Sequence, residues 1–275
     1  MQKINLSQNK KKFQNLINNP IKQIDKIQIK NKLERNFWDD WSEKFYNDNS
    51  DNLASFYESY CYGINERYFV SLLDNISGKT VLEVGCGIGL FSIYCAGKKA
   101  SVTGTDISMQ ALNISKKGSR VKNVDKLTTF AQMSAEELGF KSNTFDVIVG
   151  HGVLHHFEPH TAAREFERVL KPGGMAIFKE PFGESRSFLF LRGLMPIECR
   201  ESPGGSIITT KEIKIFKKIF KKIKIRRSAY LFERLGRIQK LDKYRMLLSK
   251  WDYLLSSIFP YVSKISGKII IVLKK

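Results

Sequence analysis

The stretch Val81-Leu82-Glu83-Val84-Gly85-Cys86-Gly87-Ile88-Gly89-Leu90 sets three glycines on alternate positions behind an apolar run. A buried strand, a glycine turn and a helix start follow one another there. Glycine lets the main chain bend through positive φ and lets a ligand lie against bare backbone. The helix start adds free N–H groups and about half a positive charge. Two cofactor classes compete for such a turn. A dinucleotide wants G-x-G-x-x-G, with its pyrophosphate on the helix end and the third glycine packing helix on strand. Here the spacing is G-x-G-x-G, and Leu90 stands where that third glycine would be. The Glu83 carboxylate also repels a pyrophosphate, whereas it suits a cofactor carrying an ammonium group and a sulfonium. Asp106, 21 residues after Gly85, can accept hydrogen bonds from both hydroxyls of a ribose. That duty serves both cofactor classes, and Asp106 can instead cap a helix beginning near Ser108.

Histidine titrates near neutrality, which makes His151, His155 and His156 the candidate general bases. Adjacent side chains such as His155 and His156 do not converge on one ion without further ligands, so no metal site is expected. Glu180 is a fainter candidate by position alone, at the end of a strand. The cysteines Cys61, Cys86, Cys95 and Cys199 form no C-x-x-C and no regular ladder, which argues for reduced thiols in a cytosol.

The elements that must position these residues alternate. Short β-branched runs at 79–85, 101–106, 127–132, 145–150 and 174–180 read as strands. Helices fall between them near 89–97, 108–117 and 161–170, the last stopped by Lys171-Pro172-Gly173-Gly174. Such alternation means a parallel sheet with right-handed crossovers. The end of the chain departs from it, with a helix at 209–220, a strand at 222–230, a helical stretch near 239–262 and a final strand at 267–275.

VLEVGCGIG, TDIS, SAEELGFKSNTFDVIVGHGVLHHF and RVLKPGG, in that order, resemble the class I S-adenosylmethionine-dependent methyltransferases over residues 75–182. The resemblance implies an α/β, Rossmann-like, seven-stranded and mostly parallel sheet. Its last strand runs antiparallel, and helices cover both faces. It implies S-adenosyl-L-methionine as cofactor, with Glu83, Gly85, Gly87 and Gly89 facing the methionine part. Asp106 would hold the ribose, with Ile107 beside the adenine. Ser134, Ala135 and Glu136 fall where the family places adenine contacts, and His151 near the methionine end. Ser134 departs from the Asp that many members carry, and a neutral oxygen makes a weaker hydrogen bond. Glu136 or the Ala135 main chain can compensate, although Glu136 also reads as a plain helix-start residue.

Gly150-His151-Gly152-Val153 replaces the Asp/Asn-Pro-Pro-aromatic loop of enzymes that methylate amino nitrogens of bases or glutamine. No Pro-Cys nucleophile for a cytosine C5 reaction occurs there either. The reading is therefore an enzyme acting on a small-molecule acceptor (a sugar, lipid, quinone-like or secondary metabolite), with O-methylation favoured. Its alternatives are an RNA or protein methyltransferase recruited by basic segments, a dinucleotide-dependent oxidoreductase and a non-catalytic cofactor binder.

The 275 residues, 42% hydrophobic and 27% charged, suit one globular domain with a cap and exclude collagen, coiled-coil arrays and wholesale disorder. The net charge of +19 resides in two flanks. Residues 1–35 hold nine Lys/Arg against two acids, and residues 209–250 hold fifteen against three. With the centre neutral, nucleic acid is a disfavoured partner. The helix 209–220 surrounds Ile213, Phe216 and Phe220 with lysines, so 209–225 can either lie on an anionic membrane surface or pack on the sheet. No secretory signal and no transmembrane run are seen, which places the chain in the cytoplasm, with peripheral membrane contact as an alternative. The expected organisation is a basic arm over 1–35, an aromatic helical cap over 36–75 and the catalytic domain over 76–275. Trp38, Trp41, Tyr57 and Tyr60 in the cap, and the segment 181–208, are the candidate lids.

Overall fold

The computed structural model describes residues 23–52, 64–183, 207–229, 232–235, 239–262 and 267–275. Tyr57, Tyr60 and most of the 181–208 segment lie outside these residues. Helix α1 spans Gln23–Asn49 and α2 spans Ile64–Ser71. The alternating core follows: β1 Thr80–Val84, α3 Leu90–Gly97, β2 Ser101–Asp106, α4 Met109–Val121, β3 Thr128–Gln132, β4 Phe145–His151, α5 Pro159–Val169 and β5 Leu170–Phe182. Then come α6 Thr210–Ile219, β6 Lys222–Ala229, α7 Phe232–Leu235, α8 Arg245–Ile258 and β7 Gly267–Lys274. The expected boundary at 35/36 falls inside α1, which runs unbroken through it.

The seven strands lie in the order β3-β2-β1-β4-β5-β7-β6. Neighbours from β3 to β5 pair in parallel, and β7 pairs antiparallel with both β5 and β6. This is the expected α/β sheet, with the antiparallel strand inserted between β5 and the edge strand β6. Period-two alternation splits the apolar residues between two faces. Leu82, Ile148, Phe178 and Ile271 join Phe166 of α5 and Phe216 of α6 on one side. Val81, Val147, Ile177 and Ile270 join Phe69 of α2 and Phe91 of α3 on the other.

Local chemistry sets the helix ends. Ser108 caps α4 by accepting the Ala111 N–H at 3.0 Å. Glu158 caps α5, with Pro159 at the first helical position. Thr209 and Glu212 form a capping box at the start of α6. Ile213 and Phe216 of α6 are buried in the core, so the apolar face of 209–225 is taken up by the protein itself.

At Gly150 in β4, an added Cβ would stand 2.7 Å from Cδ1 of Phe178. The missing side chain therefore makes room for the Phe178 ring, which packs 5.3 Å from that of Phe166. Phe178→Ala should lower unfolding free energy by about 3–5 kcal/mol, the scale for emptying a buried aromatic site. Chemical denaturation measures this, and a loss below about 1 kcal/mol would show that this layer does not hold the sheet together.

Candidate active site

β1 and β2 end side by side, and their last acidic residues brace the glycine turn between β1 and α3. Gly85, Gly87 and Gly89 all adopt positive φ, at 59°, 52° and 77°. Two of the three glycines are required by close packing as well. A Cβ on Gly85 would fall 2.7 Å from Val153, and one on Gly89 would fall 2.8 Å from Ser115. At Gly87 nothing lies within 4 Å of that position. The middle of the turn thus presents bare main chain beside open space, as a ligand lying on the backbone requires.

Asp106 faces this turn. Its Oδ2 accepts the Gly87 N–H at 2.7 Å, and its Oδ1 accepts the Ser108 N–H at 2.9 Å. Desolvation by burial raises its pKa, and the amides of Ser108, Gly87 and Ile107 oppose that. Both readings of Asp106 therefore hold in part: it supports the entry to α4 and it stands at the crevice. A carboxylate offers about four acceptor positions, so these amides leave capacity for a ligand hydroxyl.

Glu83 turns inward. Its Oε2 accepts the Ser92 N–H at 2.6 Å and the Ser92 hydroxyl proton, so it caps the first turn of α3. Its burial pushes the pKa from 4.5 up to about 8, against the opposing bonds from Ser92 and Phe91. The sequence carries no periodic signal for this partnership, because Ser92 lies in the apolar segment LFSIYCAG.

On the adenine side, Ser134 donates a short hydrogen bond to Glu136. The second Glu136 oxygen accepts the Glu158 N–H at 2.9 Å. Ala135 is buried, and the Ile107 carbonyl accepts from Gln132 Nε2 at 2.9 Å. Ser134 and Glu136 thus form one unit that also braces the start of α5.

The three histidines separate. His151 ends β4 on the face of Phe69 and Phe91, its ring 5.5 Å from that of Phe91. His155 and His156 lie in the short turn Leu154–His156, with ring centroids 4.1 Å apart. His155 Nδ1 meets Glu180 Oε2 at 2.8 Å. The other oxygen of Glu180 accepts the Val153 and Leu154 N–H groups at 2.8 and 2.9 Å. Glu180 is buried, and an ionised carboxylate there would select the His155 tautomer with its proton on Nδ1 and its lone pair on Nε2. His156 is held by α1 instead: Glu34 lies 3.4 Å from its Nδ1 and Trp38 packs edge-on to its ring. Burial lowers its pKa, with Glu34 opposing.

α1 lies along this rim and supplies Asn31 and Asp39, which the linear sequence did not flag, beside the expected lid residues Trp38 and Trp41. Asn31 donates to Ser134 Oγ at 3.1 Å, and Asp39 accepts from the Ser108 hydroxyl at 2.6 Å and from the Gln110 N–H at 3.1 Å. Trp41, Phe45 and Tyr46 pack against Ile88 and Ile114. No helical pattern could announce these contacts, because they depend on where α1 docks. Among the described residues, no group of three His, Cys, Asp or Glu side chains is arranged to hold a metal ion.

The raised Glu83 pKa makes a pH prediction. Between pH 4.5 and about 8 the folded chain keeps a proton that the unfolded chain has lost, so stability falls as pH rises through that window. Glu83→Gln should flatten this decline in the denaturation midpoint. An identical pH dependence in both proteins would show that Glu83 ionises normally in the fold.

Comparison with known proteins shows what this geometry is similar to. Residues 82–178 match the model of a methyltransferase domain. Ubiquinone biosynthesis O-methyltransferase of Alkalilimnicola ehrlichii is 32% identical over 125 residues, covering 45% of this chain and 50% of that protein. The chain spans about half the length of the curated relatives it matches. Among solved structures, the cyclase SpnF aligns at 21% identity and a TM-score of 0.55 over 84% of this chain and 94% of its own. Haemonchus contortus phosphoethanolamine N-methyltransferase 2, bound to phosphomonomethylethanolamine and S-adenosylhomocysteine, aligns at 20% identity and 0.53 over 76% and 52%. These two likenesses concern the fold. With its motifs, its sheet order and the match over residues 82–178, this part of the chain resembles a class I methyltransferase domain and shares its fold.

Proposed function

We propose that the protein moves a methyl group from S-adenosylmethionine to a hydroxyl of a small, quinone-like acceptor. The observation that carries this reading is the open backbone at Gly87, held in place by the Asp106 carboxylate. The kinship with an O-methyltransferase of ubiquinone biosynthesis supports oxygen as the accepting atom and a quinone-like ring as its carrier.

When bound, the cofactor supplies a methyl group already activated on a sulfonium, so the chain's work is positioning and proton management. Gly85, Gly87 and Gly89 offer main chain to its amino-acid part, and Asp106 uses its spare acceptor capacity on the ribose. Glu83 acts through the turn by fixing the start of α3. Ser134, Ala135, Glu136 and Ile107 flank the adenine, with Asn31 closing over Ser134. His151 lines the methionine end. His155 would be the base: Glu180 meets its Nδ1, leaving Nε2 to take the proton of the acceptor hydroxyl as the methyl leaves sulfur for that oxygen and S-adenosylhomocysteine departs. His156, engaged by Glu34 and Trp38, anchors α1 over the site. α1 excludes water along this rim.

Two substitutions separate binding from chemistry. Asp106→Ala should weaken S-adenosylhomocysteine binding by roughly 1.5–3 kcal/mol, the scale of lost charged hydrogen bonds. His155→Ala should lower kcat by about a hundredfold or more while leaving that affinity within about twofold. Transfer of labelled methyl to fractionated lipids, polar metabolites and RNA provides the assay. Full activity without His155 would remove it as base, and label in the RNA fraction alone would overturn the small-molecule acceptor.

A further inference from the structure

Helix α8 is built inside out. Its most buried residues are polar: Ser249 and Asp252 are buried, whereas Leu248 and Leu255 beside them are only half-buried. Asp252 accepts the N–H groups of Phe232 and Glu233 at 3.0 and 2.8 Å, and Ser256 Oγ accepts the Ala229 N–H at 2.6 Å. Those bonds tie α8 to the start of α7 and the end of β6, and they fix which way the helix faces. Leu247, Trp251, Leu254 and Ile258 recur at helical spacing on the outer side, each 48–59% exposed, and Phe259 extends the stripe at 57%. Ordinary surface helices reverse this arrangement. An apolar stripe held outward by a buried polar face costs solubility, and nothing in the described core requires it.

The charge around the stripe selects its occupant. Fifteen Lys/Arg against three acids lie between 209 and 250. Of the three acids, Glu233 is buried against Lys268, Glu212 is locked in the α6 cap, and the third is Asp242. Lys243 and Lys250 of this region, and Lys222 and Lys224 on the edge strand β6, remain exposed. Two copies meeting symmetrically through the stripe would bring like charges together with far fewer acids than cations to pair them. An anionic bilayer meets both requirements, since its interface takes apolar and aromatic side chains and its phosphates take the lysines. No described helix is long and apolar enough to cross a membrane. We infer that α8 docks this protein on an anionic lipid surface, with Leu247, Trp251, Leu254, Ile258 and Phe259 entering the interface and Lys243 and Lys250 meeting headgroup phosphates.

Sedimentation of the full chain with vesicles tests this without cofactor or acceptor, so its outcome is independent of the proposed reaction. The vesicles are phosphatidylcholine alone, and phosphatidylcholine with about a quarter phosphatidylglycerol. The protein should pellet with the second kind and not the first, less so as salt rises, with Trp251 emission moving to the blue. Leu247→Ser with Leu254→Ser should cut binding about tenfold or more. Lys243→Glu with Lys250→Glu, which leaves the apolar stripe intact, should weaken it several-fold. Failure to pellet with anionic vesicles overturns the inference, as does retention that neither double variant reduces. A concentration-dependent dimer that the Leu247/Leu254 variant converts to monomer would assign the face to a second copy instead.

Discussion

One hydrogen bond, from the Gly87 amide to the Asp106 carboxylate, joins the ends of two neighbouring strands across the turn that the whole site depends on. It acts with the Ser115 hydroxyl, which donates to the Gly87 carbonyl at 2.9 Å, to hold three left-handed glycines in one conformation. The Cys86 amide continues the pairing by donating to the Thr105 carbonyl at 2.9 Å, so the turn is an extension of the β1–β2 ladder. Glu83 secures the other side through Ser92. Two buried carboxyl groups at adjacent strand ends are costly, and desolvation raises both pKa values. Their retention at this position fits a site where rigidity of the backbone matters more than stability.

The same end of the sheet gathers everything else. β4 and β5 deliver the His155–Glu180 pair, and α1 closes over the rim through Asn31, Asp39 and Trp38. The opposite end is closed by polar bonds instead. Burial there is outweighed by bonds from Lys171 and Thr80, which hold the Asp146 pKa at about 2. Fold alone does not decide the chemistry, since a cyclase and an N-methyltransferase share this sheet. The groups at the strand ends are what differ, and here those are bare backbone at Gly87, the Asp106 carboxylate and the His155–Glu180 pair.

Much of this was legible in the sequence because strands and the glycine turn are local. The β-branched runs and the three glycines each follow from a few adjacent residues, and the ordered motifs placed them in one sheet. What was not legible depends on docking. α6 and α8 are both amphipathic, yet Phe216 faces the core while Trp251 faces outward. Periodicity locates an apolar face without saying what covers it. The deciding residues, Asp252 and Ser256, bond to backbone 19 to 27 positions away. Likewise Glu180 was read by position alone, because its value lies in a histidine 25 residues earlier. The arm-and-cap division at 35/36 rested on a change of composition, and helix α1 crosses it because its contacts, rather than its composition, set its length.

The most direct measurement is calorimetric titration of the purified chain with S-adenosylhomocysteine, run beside NAD. One saturable site for the sulfonium-derived nucleoside in the micromolar range, with no heat from the dinucleotide, is the predicted result. Tight binding of NAD, or no binding of either ligand by a folded chain, would contradict the account that this glycine turn and its aspartate form a methyl-donor site.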